Sequence, residues 1–175
     1  MLKQLEKLRK IKRQKEKNGD FFVMDLTHIS SHYQEPHTDS FSKCDNLYAY
    51  GRIIDCRPAT GDIIEIFNYI GAFTDDADAV IATGRMFDPV NVAPQCFIRG
   101  RWKIIKSDEH FDKFNVGFEK IKLVMGGPMI LELWEGGKTR PITEEEAIGL
   151  ERFVTYFPIN IEERILEIVK KRNMN

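Results

Sequence analysis

The chain has 175 residues, 42% of them hydrophobic and 30% charged, the size and balance of one globular domain that buries roughly 70% of the surface of its unfolded chain. Its three cysteines, Cys44, Cys56 and Cys96, contain no CxxC pair, which argues against a disulfide framework and fits a reducing cytoplasm. No apolar run reaches the roughly 18 residues of a membrane span, and the basic start lacks the apolar stretch of a secretory signal, so a soluble, cytoplasmic protein with no membrane partner is expected.

The net charge of −1 conceals an asymmetry. Residues 1–17 carry eight Lys/Arg and two Glu, a net +6, and the remaining 18 basic and 25 acidic side chains leave −7. Leu2, Leu5, Leu8 and Ile11 form a narrow apolar stripe, which predicts a basic helix ended by Asn18-Gly19, residues that accept a left-handed C-cap. Such a run is ordinarily a solvated helix face. It is also the feature on which a nucleic-acid-binding reading rests. The division expected is a basic helical extension over 1–18 and a single α+β domain over 19–175.

From Asp20 the apolar period shortens to two. Strands are predicted near Phe21–Leu26, Leu47–Ile54, Ile63–Asn68, Val80–Thr83, Gln95–Ile98, Trp102–Ile105, Lys120–Val124 and Met129–Glu135, with Gly, Pro, Asn and Asp between them. Arg99-Gly100 and Gly136-Gly137 read as tight turns in which glycine takes positive φ. The polar stretch Thr27–Asn46 is too long for a hairpin and reads as an exposed excursion. Thr143 through Glu146 has the spacing of a capping box that opens a short helix. Pro158 and Asn160 precede a terminal helix whose apolar face is Ile161, Ile165, Ile168 and Val169, with Lys170, Lys171 and Arg172 at its negative end. No strand alternates with a long amphipathic helix, so the fold expected is α+β: a strongly bent, mostly antiparallel sheet, an SH3-like barrel being one form it can take, closed by the two helices.

No catalytic constellation emerges. Ser30, Ser31, Ser40 and Ser42 lack a G-x-S-x-G elbow, and no Walker or dinucleotide-binding glycine pattern occurs. His28, His32, His37 and Cys44 are the residue types zinc prefers, but their spacing matches no compact ligand pair. They read as a hydrophilic loop, so no metal and no cofactor is expected, and a metal-dependent hydrolase is the weakest of the functional classes. Asp75, Asp76 and Asp78 lack the spacing of a calcium loop and read as a solvated acidic segment able to meet a basic partner. Trp102, Trp134, Phe21, Phe22, Tyr48 and Tyr50 sit in strand-like runs and read as core.

Several motifs, in order, resemble the immunity protein 26 family of bacterial polymorphic toxin systems. They are Gly19-Asp20-Phe21-Phe22, Tyr48-Ala49-Tyr50-Gly51-Arg52-Ile53, Gly100-Arg101-Trp102-Lys103-Ile104-Ile105, the run from Gly136-Gly137 through Pro141 to Thr143, and Gly149-Leu150-Glu151-Arg152 ahead of Ile161–Ile165. The resemblance implies an α+β immunity protein, not an enzyme, whose partner is a cognate protein toxin. It assigns no catalytic residue, and its motif positions read as structural. The expected function is therefore occlusion of a toxin, a nuclease being one kind with a basic cleft for the Asp75, Asp76 and Asp78 segment to meet. A nucleic-acid-binding or regulatory protein using residues 1–17 is the alternative. The oligomeric state is left open.

Overall fold

A computed structural model describes residues 14–27, 47–57, 59–127 and 130–173. Its strands are β1 (Asp20–Asp25), β2 (Tyr48–Asp55), β3 (Asp62–Gly71), β4 (Val90–Val92), β5 (Trp102–Ser107), β6 (Lys122–Gly127), β7 (Ile130–Glu135), β8 (Lys138–Pro141), β9 (Glu151–Arg152) and β10 (Thr155–Tyr156). The helices are α1 (Ala77–Ile81), α2 (Gln95–Ile98), α3 (Glu144–Ala147) and α4 (Pro158–Asn173), and two 3-10 turns span Lys113–Val116 and Phe118–Lys120.

The fold is a sheet-rich α+β arrangement. One sheet runs β10-β4-β3-β2-β1-β5 and the other β8-β7-β6-β9. Neighbours are antiparallel except at β4/β10 and β6/β9, where two-residue strands pair in parallel. Among the described residues no pairing joins β5 to β10, so the larger sheet stays open where a barrel would be closed.

β1 lies between β2 and the edge strand β5, and both of its faces are covered. Phe22 and Met24 point to one face, where Ala49, Ile53, Ile64, Ile66 and Trp102 meet Ile161 and Ile165 of α4. Phe21 and Val23 point to the other, where Tyr48, Tyr50 and Phe67 meet Ala77 and Val80 of α1. Period-two alternation with apolar residues at every position means burial on both faces. A third cluster, with Ile54, Ile63, Phe118, Leu123 and Trp134, binds the second sheet to the first. All six aromatic residues read as core from the sequence are buried.

Gly51 in β2 is a packing requirement. A Cβ there would lie 2.4 Å from Phe22 Cζ and 2.5 Å from the carbonyl oxygen of Glu65. The Phe22 ring crosses this gap to stack on Trp102, with centroids 5.3 Å apart, and meets Phe97 edge-on at 5.1 Å. Gly51→Ala is expected to cost about 1–3 kcal/mol through overpacking, read as a lower urea midpoint with an unchanged slope. An unchanged midpoint would show that the ring can move aside.

Two predicted strands are helices. Val80–Thr83 covers the last two residues of α1 and the turn after it, and Asp76 caps the helix by accepting from the Ala79 N–H at 3.0 Å. Gln95–Ile98 is α2, ended by Arg99 and by Gly100 at φ 63°. Four- and five-residue helices show too little of the 3.6 period to be separated from a short apolar strand. β4 and β8 to β10 escape the pattern for the same reason of length. At the other end, α3 carries the full capping box between Thr143 and Glu146, and α4 buries Ile161, Glu162, Ile165 and Leu166. Ile168 is only partly buried. Of the basic extension, residues 14–17 are not helical, so a helix does not run to Asn18 as expected. Residues 1–13 lie outside the described residues.

Candidate functional site

The motif residues organise the frame. Gly19 sits at φ 81°, where a Cβ would lie 2.4 Å from that of Phe111. Asp20 accepts from Ser107 Oγ at 2.5 Å and from the Lys17 N–H at 2.9 Å, and burial pushes its carboxyl above the usual range. The Tyr50 hydroxyl accepts from the Thr74 N–H at 2.7 Å, with its ionisation pushed up by burial. Gly136 and Gly137 take φ 54° and 93° in the β7–β8 turn, as the sequence predicts, and Pro141 ends β8 on the exposed side. Gly149 adopts φ 78° and is followed by half-buried Leu150. Glu151 accepts from Tyr156 Oη at 2.8 Å and from Arg164 at 2.7 Å.

Three further ionic groups hold the sheets and helices together. Glu65, 2% exposed, lies between Arg52 and Arg85, and Arg52 also sits over the Phe67 and Phe111 rings. Asp55 pairs with Lys113 at 2.7 Å. Glu162 accepts from Arg101 through both oxygens and from Trp102 Nε1 at 2.8 Å. All of these join residues far apart in sequence, and no spacing rule reveals them.

Asp75, Asp76 and Asp78 are exposed at the start of α1. The sequence reads them as a solvated acidic segment, but Asp76 is the N-cap of α1, and Asp78 lies in its first turn, where a carboxylate offsets the helix dipole. Exposed apolar side chains occur elsewhere: Ile148 is 79% exposed, Ile130 71%, Phe157 59% and Phe114 57%. Sequence reasoning did not single them out, because an isolated exposed apolar residue carries no periodic signal. A cleft of about 420 Å³ near the β7–β8 turn is lined by Glu119, Glu135, Lys138 and Arg140 among others, so its charges are mixed.

His28, His32, His37 and Cys44 lie outside the described residues. Within them, Cys56 and Cys96 are free thiols. The residues able to hold a metal are Glu16, Cys56 and Asp62, whose donor atoms lie within 4.8 Å of one another. Burial, then the Asp62 charge, pushes the Cys56 thiol up to about 12. Burial also raises the Asp62 carboxyl.

Among the described residues no helix is long and apolar enough to cross a membrane. The model of the family described as immunity protein 26 matches residues 17–128, more than half of the chain. That stretch runs from the turn before β1 through the end of β6. No curated protein and no solved structure matches the chain.

Proposed function

Because the chain belongs to the immunity protein 26 family, we propose that it neutralises a cognate protein toxin by binding and occluding it, without turnover. The family match over residues 17–128 carries this reading. The chain is then a cytoplasmic inhibitor whose binding domain begins at residue 19, and the basic segment before it is an appendage. Irregular connections on a rigid sheet supply recognition surfaces.

The test is titration of the toxin encoded beside it. Activity should fall linearly to an endpoint at one inhibitor per toxin, with the toxin's covalent mass unchanged. Inhibition by substoichiometric amounts, or a modified toxin, would replace occlusion with catalysis.

The contact surface we favour is the exposed acidic start of α1. A nuclease toxin has a basic cleft, and opposite potential raises the association rate. Beyond residue 17 the chain carries −7. Replacing Asp75, Asp76 and Asp78 together by Asn keeps a good cap at position 76, so folding should be unaffected. Association with the toxin should slow roughly two- to tenfold at low salt and little at high salt. Equal rates at both salts would place the interface elsewhere, the 27–46 segment being next.

The +6 charge of residues 1–17 favours a second reading, nucleic-acid binding through that segment. Phosphate contacts weaken steeply with salt. Absent or salt-insensitive binding to DNA and RNA removes it.

A further inference from the structure

The turn that joins β2 to β3 faces the segment that enters β1. Cys56 follows the last residue of β2, and Asp62 is the first of β3. Glu16 stands three residues ahead of Gly19, and the entering segment is pinned against β2 by two bonds. Gly19 N–H donates to the Ile53 carbonyl at 2.8 Å, and Cys56 N–H donates to Asn18 Oδ1 at 2.7 Å. The Cys56 thiol points at the Glu16 carbonyl, Sγ to O 3.6 Å. The two segments that carry the three donor groups are thus held together by contacts that do not depend on an ion.

Asp62 is the anomaly. Its side chain is fully buried, one carboxylate oxygen accepts from the Arg57 N–H at 2.9 Å, and Oδ2 has no hydrogen-bond partner. The Cys56 thiol lies against this carboxyl and offers it only the weak hydrogen bond of an S–H group, a single proton that the Glu16 carbonyl also faces. Arg57, the nearby cation, directs its guanidinium to Asn91 Oδ1 at 3.0 Å and toward Asp55 at 3.7 Å, and makes no ion pair with Asp62. A buried carboxylate is normally paired, protonated or bound to a metal.

We propose that Glu16, Cys56 and Asp62 bind a divalent cation of the zinc class, which fastens the entry of the folded chain to the β2–β3 turn. A sulfur ligand beside two carboxylates selects a borderline cation over magnesium or calcium. Bonds of 2.0–2.3 Å in a tetrahedron set ligands about 3.3–3.6 Å apart. The present separations of up to 4.8 Å therefore close by about an ångström, within reach of half-buried Glu16 and Cys56 side chains. Binding deprotonates the thiol, one proton passing to solvent per ion, and two carboxylates and a thiolate then face the cation and the adjacent Arg57. Zinc's fourth position is left to water. The site escapes sequence reading because its ligands are 40 and six residues apart, unlike any compact ligand spacing.

Cobalt(II) provides the probe, since a thiolate ligand gives it a near-ultraviolet charge-transfer band. Chelator-treated full-length protein should take up one cobalt per chain with that band, and zinc should displace it and raise the thermal midpoint. Cys56→Ser should abolish the band, and Glu16→Gln should weaken affinity at least about tenfold. Cys44→Ser and Cys96→Ser should leave both unchanged. The proposal fails if the wild type binds no stoichiometric ion, or if the band survives Cys56→Ser and disappears in Cys44→Ser, which would assign the ion to the histidine-rich segment. Should Cys56→Ser not fold, Glu16→Gln decides alone, and undiminished affinity overturns the site.

Discussion

Ile165→Asp is expected to leave the protein folded at room temperature by only part of its original margin. Ile165 lies on α4 with no solvent exposure, in the cluster that includes Phe22, Met24, Ile64 and Trp102. The substitution removes the apolar contacts and places an unpaired carboxylate among hydrocarbon side chains, at a cost of about 4 kcal/mol or more. Domains of this size are stable by only about 5–15 kcal/mol, so such a loss consumes much of the margin. With a urea slope of about 2 kcal/mol/M the midpoint should drop by about 2 M. Ile165→Val, which removes one methylene, should cost only about 0.5–1.5 kcal/mol. An unchanged midpoint for the Asp variant would show that the helix does not pack on the sheet. α4 lies beyond the residues that match the family model, so this variant also asks whether the matched strands fold without it.

Arg101→Ala should destabilise more than the exposure of Arg101 suggests. The Arg101 side chain is 45% exposed and the Glu162 side chain 2%, so an ordinary surface pair would be worth less than about 1 kcal/mol. The asymmetry matters because the buried partner is the carboxylate. Removing the arginine leaves Glu162 with Trp102 Nε1 as its donor, and an uncompensated buried charge costs about 3–5 kcal/mol. The double variant Arg101→Ala/Glu162→Gln should recover part of that loss. A neutral amide still accepts the indole N–H and needs no cation. Equilibrium unfolding of the two single variants and the double closes the cycle. If the double variant is no more stable than Arg101→Ala, the loss comes from packing of the arginine stem and not from the charge.

Much of the frame was legible because it is local. The apolar run Phe21, Phe22, Val23 and Met24 marks a strand, which the structure buries on both faces, and the turn at Gly136-Gly137 follows from positions that need positive φ. The capping box at Thr143 closes within four residues. The face of α4 was right at Ile161 and Ile165, but Leu166 takes the burial expected of Ile168. Which residues of a helix face are covered is decided by the opposing surface, which the helix's own sequence does not contain. α1 and α2 were misread as strands because a helix of one turn owes its existence to its caps and neighbours rather than to its periodicity.

The sequence by itself determined which segments alternate, where the chain turns, which aromatic residues are core, and the family to which those ordered motifs point. Each depends on residues within a few positions of one another, over which φ/ψ preference and side-chain period act directly. Only the tertiary structure decided that the larger sheet stays open and that β4/β10 and β6/β9 pair in parallel. It also set Arg101 and Trp102 against Glu162, and Glu16 against Cys56 and Asp62. These contacts join residues tens of positions apart, and their partners are chosen by how three hydrophobic clusters pack together. Packing of that kind is a property of the whole chain, and no short window of sequence contains it.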